Sequence, residues 1–154
     1  MKKLFFDMDG TVADLYSVEG WLPSIRAEEH GLFLGLAPMV DMNELMVICE
    51  SLVLQGWTIG VITWSPMNCS EEYHRQVSEE KQKWLRGMMP QVTEFYCLHY
   101  GTPKQTAPYR RASVEMLVDD NNEVRKMWDT PVKRQSIDAS NSETMMNILR
   151  ELAD

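Results

Sequence analysis

The sequence predicts an α/β fold, a parallel sheet of about five strands enclosed between two helix layers as a three-layer α/β/α sandwich. Three observations carry that expectation. Short apolar or β-branched runs alternate with longer stretches of helical spacing along the whole chain. Acidic or hydroxyl residues close three of the runs, at Asp7, Thr63 and the pair Asp119-Asp120, as expected where parallel strands end at a ligand site. The composition, 44% hydrophobic and 25% charged over 154 residues, is that of an ordinary globular chain with room for a core.

Each element has its own local reason. Lys2 to Phe6 is a short run bounded by Asp7 and Gly10, and it predicts the first, buried strand. Val18 to Glu29 mixes polar and apolar residues and predicts a helix broken at Gly31, and Leu32 to Met39 reads as loop. Asp41 is placed to cap a helix through Gln55, with Met42, Leu45, Met46, Cys49, Leu52 and Val53 at helical spacing and Gly56 as the stop. Trp57 to Thr63 is rich in β-branched residues and predicts the second strand. A long helix over 71–89 ends at Pro90. Val92 to Leu98 predicts the third strand, Gly101 and Pro103 mark a loop, and Val114 to Val118 predicts the fourth strand. Asn121 to Trp128 reads as a short helix, Val132 to Ile137 as the fifth strand, and Ser142 to Ala153 as the closing helix. No repeat, low-complexity tract or linker interrupts 1–154, so one domain is expected.

Composition excludes several function classes. With 15 basic and 23 acidic residues the net charge is −8 and the pI about 4.9, a surface that repels nucleic-acid backbones, so no dedicated nucleic-acid binding is expected. Cys49, Cys69 and Cys97 are odd in number and widely spaced, which offers neither a disulfide framework nor a C-x-x-C metal pattern. A reduced, cytoplasmic setting is expected. The apolar run after Met1-Lys2-Lys3 stops at Asp7, too short for a signal peptide, and no stretch is long enough to span a bilayer.

Asp7-Met8-Asp9-Gly10-Thr11 is the most informative segment. Two carboxylates leave a buried strand and turn at a glycine, where mutual repulsion and desolvation both oppose their ionisation. A divalent cation is the natural remedy, and hard carboxylate oxygens suit magnesium. Asp119 and Asp120 bring two further carboxylates to another strand end. From average residue usage, D-x-D-G-T arises by chance in roughly one chain of this length in several hundred.

The segment resembles the first motif of the haloacid dehalogenase superfamily, whose members are mostly magnesium-dependent phosphatases and phosphotransferases. The other motifs follow in the family's order. Val61-Ile62-Thr63 resembles the second, Lys104 within Gly101-Thr102-Pro103-Lys104 the third, and Leu117-Val118-Asp119-Asp120 the fourth. The resemblance implies a Rossmann-like core in which Asp7 is the nucleophile that forms an aspartyl-phosphate. It implies Asp9 as general acid and then base, Thr63 as a hydroxyl on the phosphoryl group, and Lys104 as the balancing charge. Mg²⁺ would be held by Asp7, Asp9 (through its carbonyl) and the pair Asp119 and Asp120, one directly and the other in support. Gly10, Thr11, Trp64 and Ser65 complete the expected substrate contacts, and whether Thr63 or Ser65 is the main phosphate hydroxyl stays open. True dehalogenases resembling this family lack the acid/base two residues after the nucleophile, so Asp9 favours phosphoryl transfer.

Members of the family select substrates with inserted cap modules. Here the insertion is minimal, a small helical cap or flap at 15–40, which leaves the site open or covered by a second subunit of a homo-oligomer. A small phosphorylated substrate is expected. Thr63-Trp64-Ser65-Pro66, Lys81, Lys83, Trp84-Leu85 and Val118-Asp119-Asp120 resemble the deoxyribonucleotidase branch, which implies nucleoside monophosphates. The alternatives are a phosphate-binding or phospho-accepting regulatory domain without turnover, and a phosphatase of a macromolecule. A receiver-type domain has the wrong motif order, and the absence of G-K-[ST] excludes a P-loop kinase. His30, His74 and His99 lack metal-ligand spacing and are expected at the surface or in structural roles. The charged residues of Glu71 to Lys83 are expected on a solvated helix face.

Overall fold

The computed structural model describes residues 1–108 and 110–154. At the centre of one sheet lies β1 (Lys2–Phe6), paired in parallel with β2 (Trp57–Trp64) on one side and β4 (Val114–Asp119) on the other. Outside these run β3 (Val92–Leu98) and β5 (Arg134–Asp138), giving the order β3-β2-β1-β4-β5 with every pair parallel. The chain works outward from β1 to β3, then returns to build the other flank. The crevice at the carboxyl ends of β1 and β4 is therefore the topological switch point, where such sheets bind ligands.

Side-chain alternation along each strand divides the core in two. Leu4, Phe6, Ile59, Val61 and Val118 face a large cluster with α2 (Met42–Leu54), α3 (Glu71–Met88) and α5 (Ser142–Ala153). Phe5, Ile62 and Leu117 face the opposite layer, where α4 (Asn122–Trp128) contributes Val124 and Trp128. Phe5 meets Trp128 edge-on at 6.0 Å between ring centroids. Gly60 makes room for it, since a Cβ there would lie 2.6 Å from the Phe5 ring. This is the five-stranded Rossmann-like sandwich that the motifs imply.

Helix starts follow cap chemistry. Asp41 accepts the amides of Asn43 and Glu44, Ser70 that of Tyr73, Asn121 those of Glu123 and Val124, and Asn141 that of Thr144. Three stretches depart from the expectation. The helix expected over Val18 to Glu29 is only α1 (Trp21–Arg26), because Gly20 at φ 73° and Glu28 at φ 52° place left-handed turns on both sides of it. Part of the expected loop after it is a 3-10 turn, Leu32–Gly35, whose Phe33 is buried. The fifth strand begins at Arg134 rather than Val132, since the Thr130 hydroxyl accepts the amides of Lys133 and Arg134 and holds them in a turn.

The insertion leaves and rejoins the core at a pinch point. The Asp14 amide donates to the Ala37 carbonyl (2.8 Å) and the Met39 amide to that of Val12 (2.9 Å). Between them the segment docks on α3: the Tyr73 hydroxyl donates to the Glu29 carbonyl (3.0 Å) and the Trp84 indole to that of Leu36 (2.8 Å). The charged stretch of α3 also departs from expectation. Glu80 and Lys81 are buried, because Lys81 shares a helix face with Tyr73, Val77 and Trp84 and points at the site. No helix among the described residues is long and apolar enough to cross a membrane.

Candidate active site

Asp7 follows β1 directly, and Asp119 ends β4 beside it. The Lys104 ammonium lies between their carboxylates, 2.7 Å from Asp7 Oδ1 and 2.7 Å from Asp119 Oδ2. The Thr11 hydroxyl lies 3.2 Å from Asp7 Oδ2 and 3.4 Å from Asp120 Oδ1, so the motif's threonine braces two carboxylates. The Asn121 amide donates to Asp119 Oδ1 at 2.8 Å. Gly10 turns the chain at φ 79°, and a Cβ there would lie 2.6 Å from Asp120 Oδ2, so only glycine lets the two loops close on each other.

Burial first, then the neighbouring carboxylates, push Asp119 up to about 6 and Asp120 up to about 7. Lys104 offsets this in part at Asp119. Burial lowers the proton affinity of Lys104 itself, but Asp7 and Asp119 more than reverse this and hold its ammonium above the usual lysine value. Among the described residues no ion pair reaches Asp120. Asp7, Asp119 and Asp120 each bring one carboxylate oxygen within 4.8 Å of the others. Three hard oxygen donors, their repulsion only partly offset by Lys104, fit a magnesium ion.

Asp9 faces the same cleft from the other side. Its Oδ2 accepts from Lys81 at 2.7 Å, and its Oδ1 is buried without a hydrogen-bond partner among the described residues. Burial raises its pKa and outweighs the opposing effect of Lys81. Lys81 also donates to Thr63 Oγ1 (2.8 Å) and to the Trp64 carbonyl (2.9 Å). Thr63 Oγ1 accepts from Lys81, and Thr63 is fully buried and does not line the cleft, whereas Ser65 lies on its wall.

The cleft, about 320 Å³, has Asp7, Asp9, Lys104, Asp119 and Asp120 at its base. Its walls are aromatic: Tyr16 packs edge-on to Trp21 at 5.0 Å, and Trp64 lies 5.0 Å from Tyr100. The Trp64 ring also covers the Lys104 ammonium, 5.4 Å from its centroid. A second cleft, about 380 Å³ beside the end of α3, gathers no such group of carboxylates and lysines. Of the residues expected at the site, Asp7, Asp9, Gly10, Thr11, Trp64, Ser65, Lys104, Asp119 and Asp120 are brought together. Lys81 belongs with them, although its charge pattern pointed to a solvated face; the resemblance to nucleotidases was the signal that singled it out.

No family model matches the chain, and a search of curated proteins gave no match. Among solved structures, it is similar to the crystal structure of D,D-heptose 1,7-bisphosphate phosphatase from Burkholderia thailandensis, with a TM-score of 0.54 and 9% identity over 100% of both chains. The two share a fold. At that identity the likeness speaks for the architecture, and the chemistry rests on the side chains.

Proposed function

We propose that the protein is a magnesium-dependent phosphomonoester phosphatase of the haloacid dehalogenase type. The observation that carries this reading is the base of the cleft: Asp7 held by Lys104 and Thr11, with Asp9 facing it and the Asp119-Asp120 pair beside it. The fold shared with a sugar phosphate phosphatase supports it. In this reading an Asp7 carboxylate oxygen attacks phosphorus, and the bond from phosphorus to the leaving oxygen breaks. Asp9 supplies the proton that the leaving oxygen takes. Lys81 donates to Oδ2, and burial of the carboxyl favours its protonated form, as the first step requires. Ionised Asp9 then takes a proton from water, which attacks the aspartyl-phosphate and frees phosphate and Asp7. Lys104 and the Ser65 hydroxyl offset charge on the phosphoryl oxygens. When bound by Asp7, Asp119, Asp120 and the Asp9 carbonyl, Mg²⁺ supplies the positive charge that lets carboxylate and phosphate approach.

The aromatic walls support a planar leaving group, and a nucleoside monophosphate is the substrate class we favour. The test measures phosphate release from an aryl phosphate and a panel of nucleoside monophosphates, with Mg²⁺ and with chelator. Metal-dependent turnover that disappears in Asp7→Asn is the expected result. Folded, Mg²⁺-loaded protein inert toward every substrate would overturn the reading. Trp21→Ala is expected to raise KM about three- to tenfold for nucleoside monophosphates and to leave acetyl phosphate hydrolysis unchanged. Equal effects on both would sink the assignment of the aromatic wall.

A further inference from the structure

Ser65 lies 1% exposed on the cleft wall, and its surroundings constrain where its single hydroxyl proton can go. Its Oγ is 2.7 Å from His74 Nδ1, on α3. The Leu98 carbonyl is 3.4 Å from the hydroxyl and already accepts the Ser65 amide at 2.8 Å. The Cys69 thiol also lies against Ser65 and is a weak partner. The short contact to His74 is therefore the one that orients the hydroxyl. If Nδ1 is bare, Ser65 donates to it and turns only lone pairs toward the cleft, where they repel a phosphoryl oxygen. If Nδ1 carries a proton, it donates to Oγ and the hydroxyl proton is released to the cleft.

The His74 ring is held in plane. His99 stacks on it at 4.0 Å between centroids and 20° between planes, and the far nitrogen of His99, Nε2, lies 3.4 Å from Glu71. Burial, then His99, keep His74 below the usual histidine value, so near neutral pH the ring is uncharged and one nitrogen holds its proton. From this geometry we infer that His74 is a positioning residue whose Nδ1–H donates to Ser65 and turns the Ser65 hydroxyl proton onto the phosphoryl group. The inference rests on the phosphatase reading and extends it to a residue that does not line the cleft.

The test uses inorganic phosphate as probe, with titration calorimetry on the Mg²⁺-loaded protein and ¹⁵N spectra of histidine-labelled wild type. Ser65→Ala and His74→Leu are each expected to weaken phosphate binding roughly tenfold or more, as for a hydrogen bond to a charged group. The double variant is expected to be no worse than either single one, since both remove the same interaction. His74→Asn, whose amide N–H can replace Nδ1–H, is expected to recover most of the loss. In the phosphate complex His74 is expected to be protonated at Nδ1. A bare Nδ1 in that complex, or additive losses, or wild-type affinity in His74→Leu, would overturn the relay. The spectra decide this even if a variant fails to fold. Wild type that hydrolyses an aryl phosphate while failing these tests loses the relay alone; wild type that neither hydrolyses nor binds phosphate loses both.

Discussion

Lys104 and Lys81 do different work in the same cleft. The Lys104 ammonium bridges Asp7 and Asp119, so Lys104→Met leaves two carboxylates buried beside Asp120 with no cation. Breaking such a buried pair costs about 3–5 kcal/mol. Urea denaturation in chelator is expected to show a loss of that order, with Mg²⁺ restoring part of it. Lys81 acts on Asp9, whose proton affinity it lowers. Its removal in Lys81→Met raises the Asp9 pKa further, and the limbs of the pH–rate profile that belong to Asp9 are expected to move to higher pH. An unmoved profile would separate Lys81 from the acid/base step. Gly10→Ala places a methyl against Asp120 at a positive φ, and it is expected to lower both melting temperature and Mg²⁺ affinity.

Among the elements, α3 shows how a helix can carry a core, a support for the inserted segment and a residue facing the cleft carboxylates on one face. Tyr73, Val77, Lys81 and Trp84 follow helical spacing, and all are buried. Tyr73 and Trp84 hydrogen-bond the backbone of the insertion at Glu29 and Leu36. Trp84→Phe keeps an aromatic ring but leaves the Leu36 carbonyl without its donor, a loss of about 1–3 kcal/mol from the hydrogen bond alone, to which the void left by the smaller ring adds. Faster amide exchange confined to 15–36 is the expected signature, and uniform exchange across the sheet would contradict it. Most elements were legible in the sequence because their signals are local: Asp41 as a cap, Gly56 and Pro90 as stops, β-branched residues in β2. The short α1 and the late start of β5 were not, because Gly20 and the Thr130 hydroxyl act through backbone geometry that residue spacing does not display.

For the molecule as a whole, the carboxylate cluster links folding to pH. Asp119 and Asp120 titrate near 6 and 7 in the folded chain, against an ordinary aspartate value of 3.8. Between those values the folded state binds more protons than the unfolded state, so the metal-free protein loses stability as pH rises from about 4 to 7. In the reading proposed here, Mg²⁺ would bind the ionised form and so would oppose the loss. Melting curves are expected to fall across that window in chelator and to flatten with Mg²⁺, the gain being larger at pH 7.5 than at pH 5. A metal-induced rise that is equal at both pH values would contradict the assignment of these carboxylates as ligands.

The sequence by itself determined the α/β class, the order of the strands along the chain and the acidic strand ends, because hydrophobic periodicity and turn chemistry are local properties. It also placed Asp7, Asp9, Lys104, Asp119 and Asp120 in one constellation through the order of their motifs. Only the tertiary structure separated the two hydroxyls in space. Strand alternation puts Thr63 on the α3 side of β2, where it accepts from Lys81, and the chain turns Ser65 onto the cleft wall after the strand ends. The same holds for Lys81 and His74. Their partners, Asp9 and Ser65, come from other elements, and only the docking of α3 against the strand ends brings them within hydrogen-bond distance.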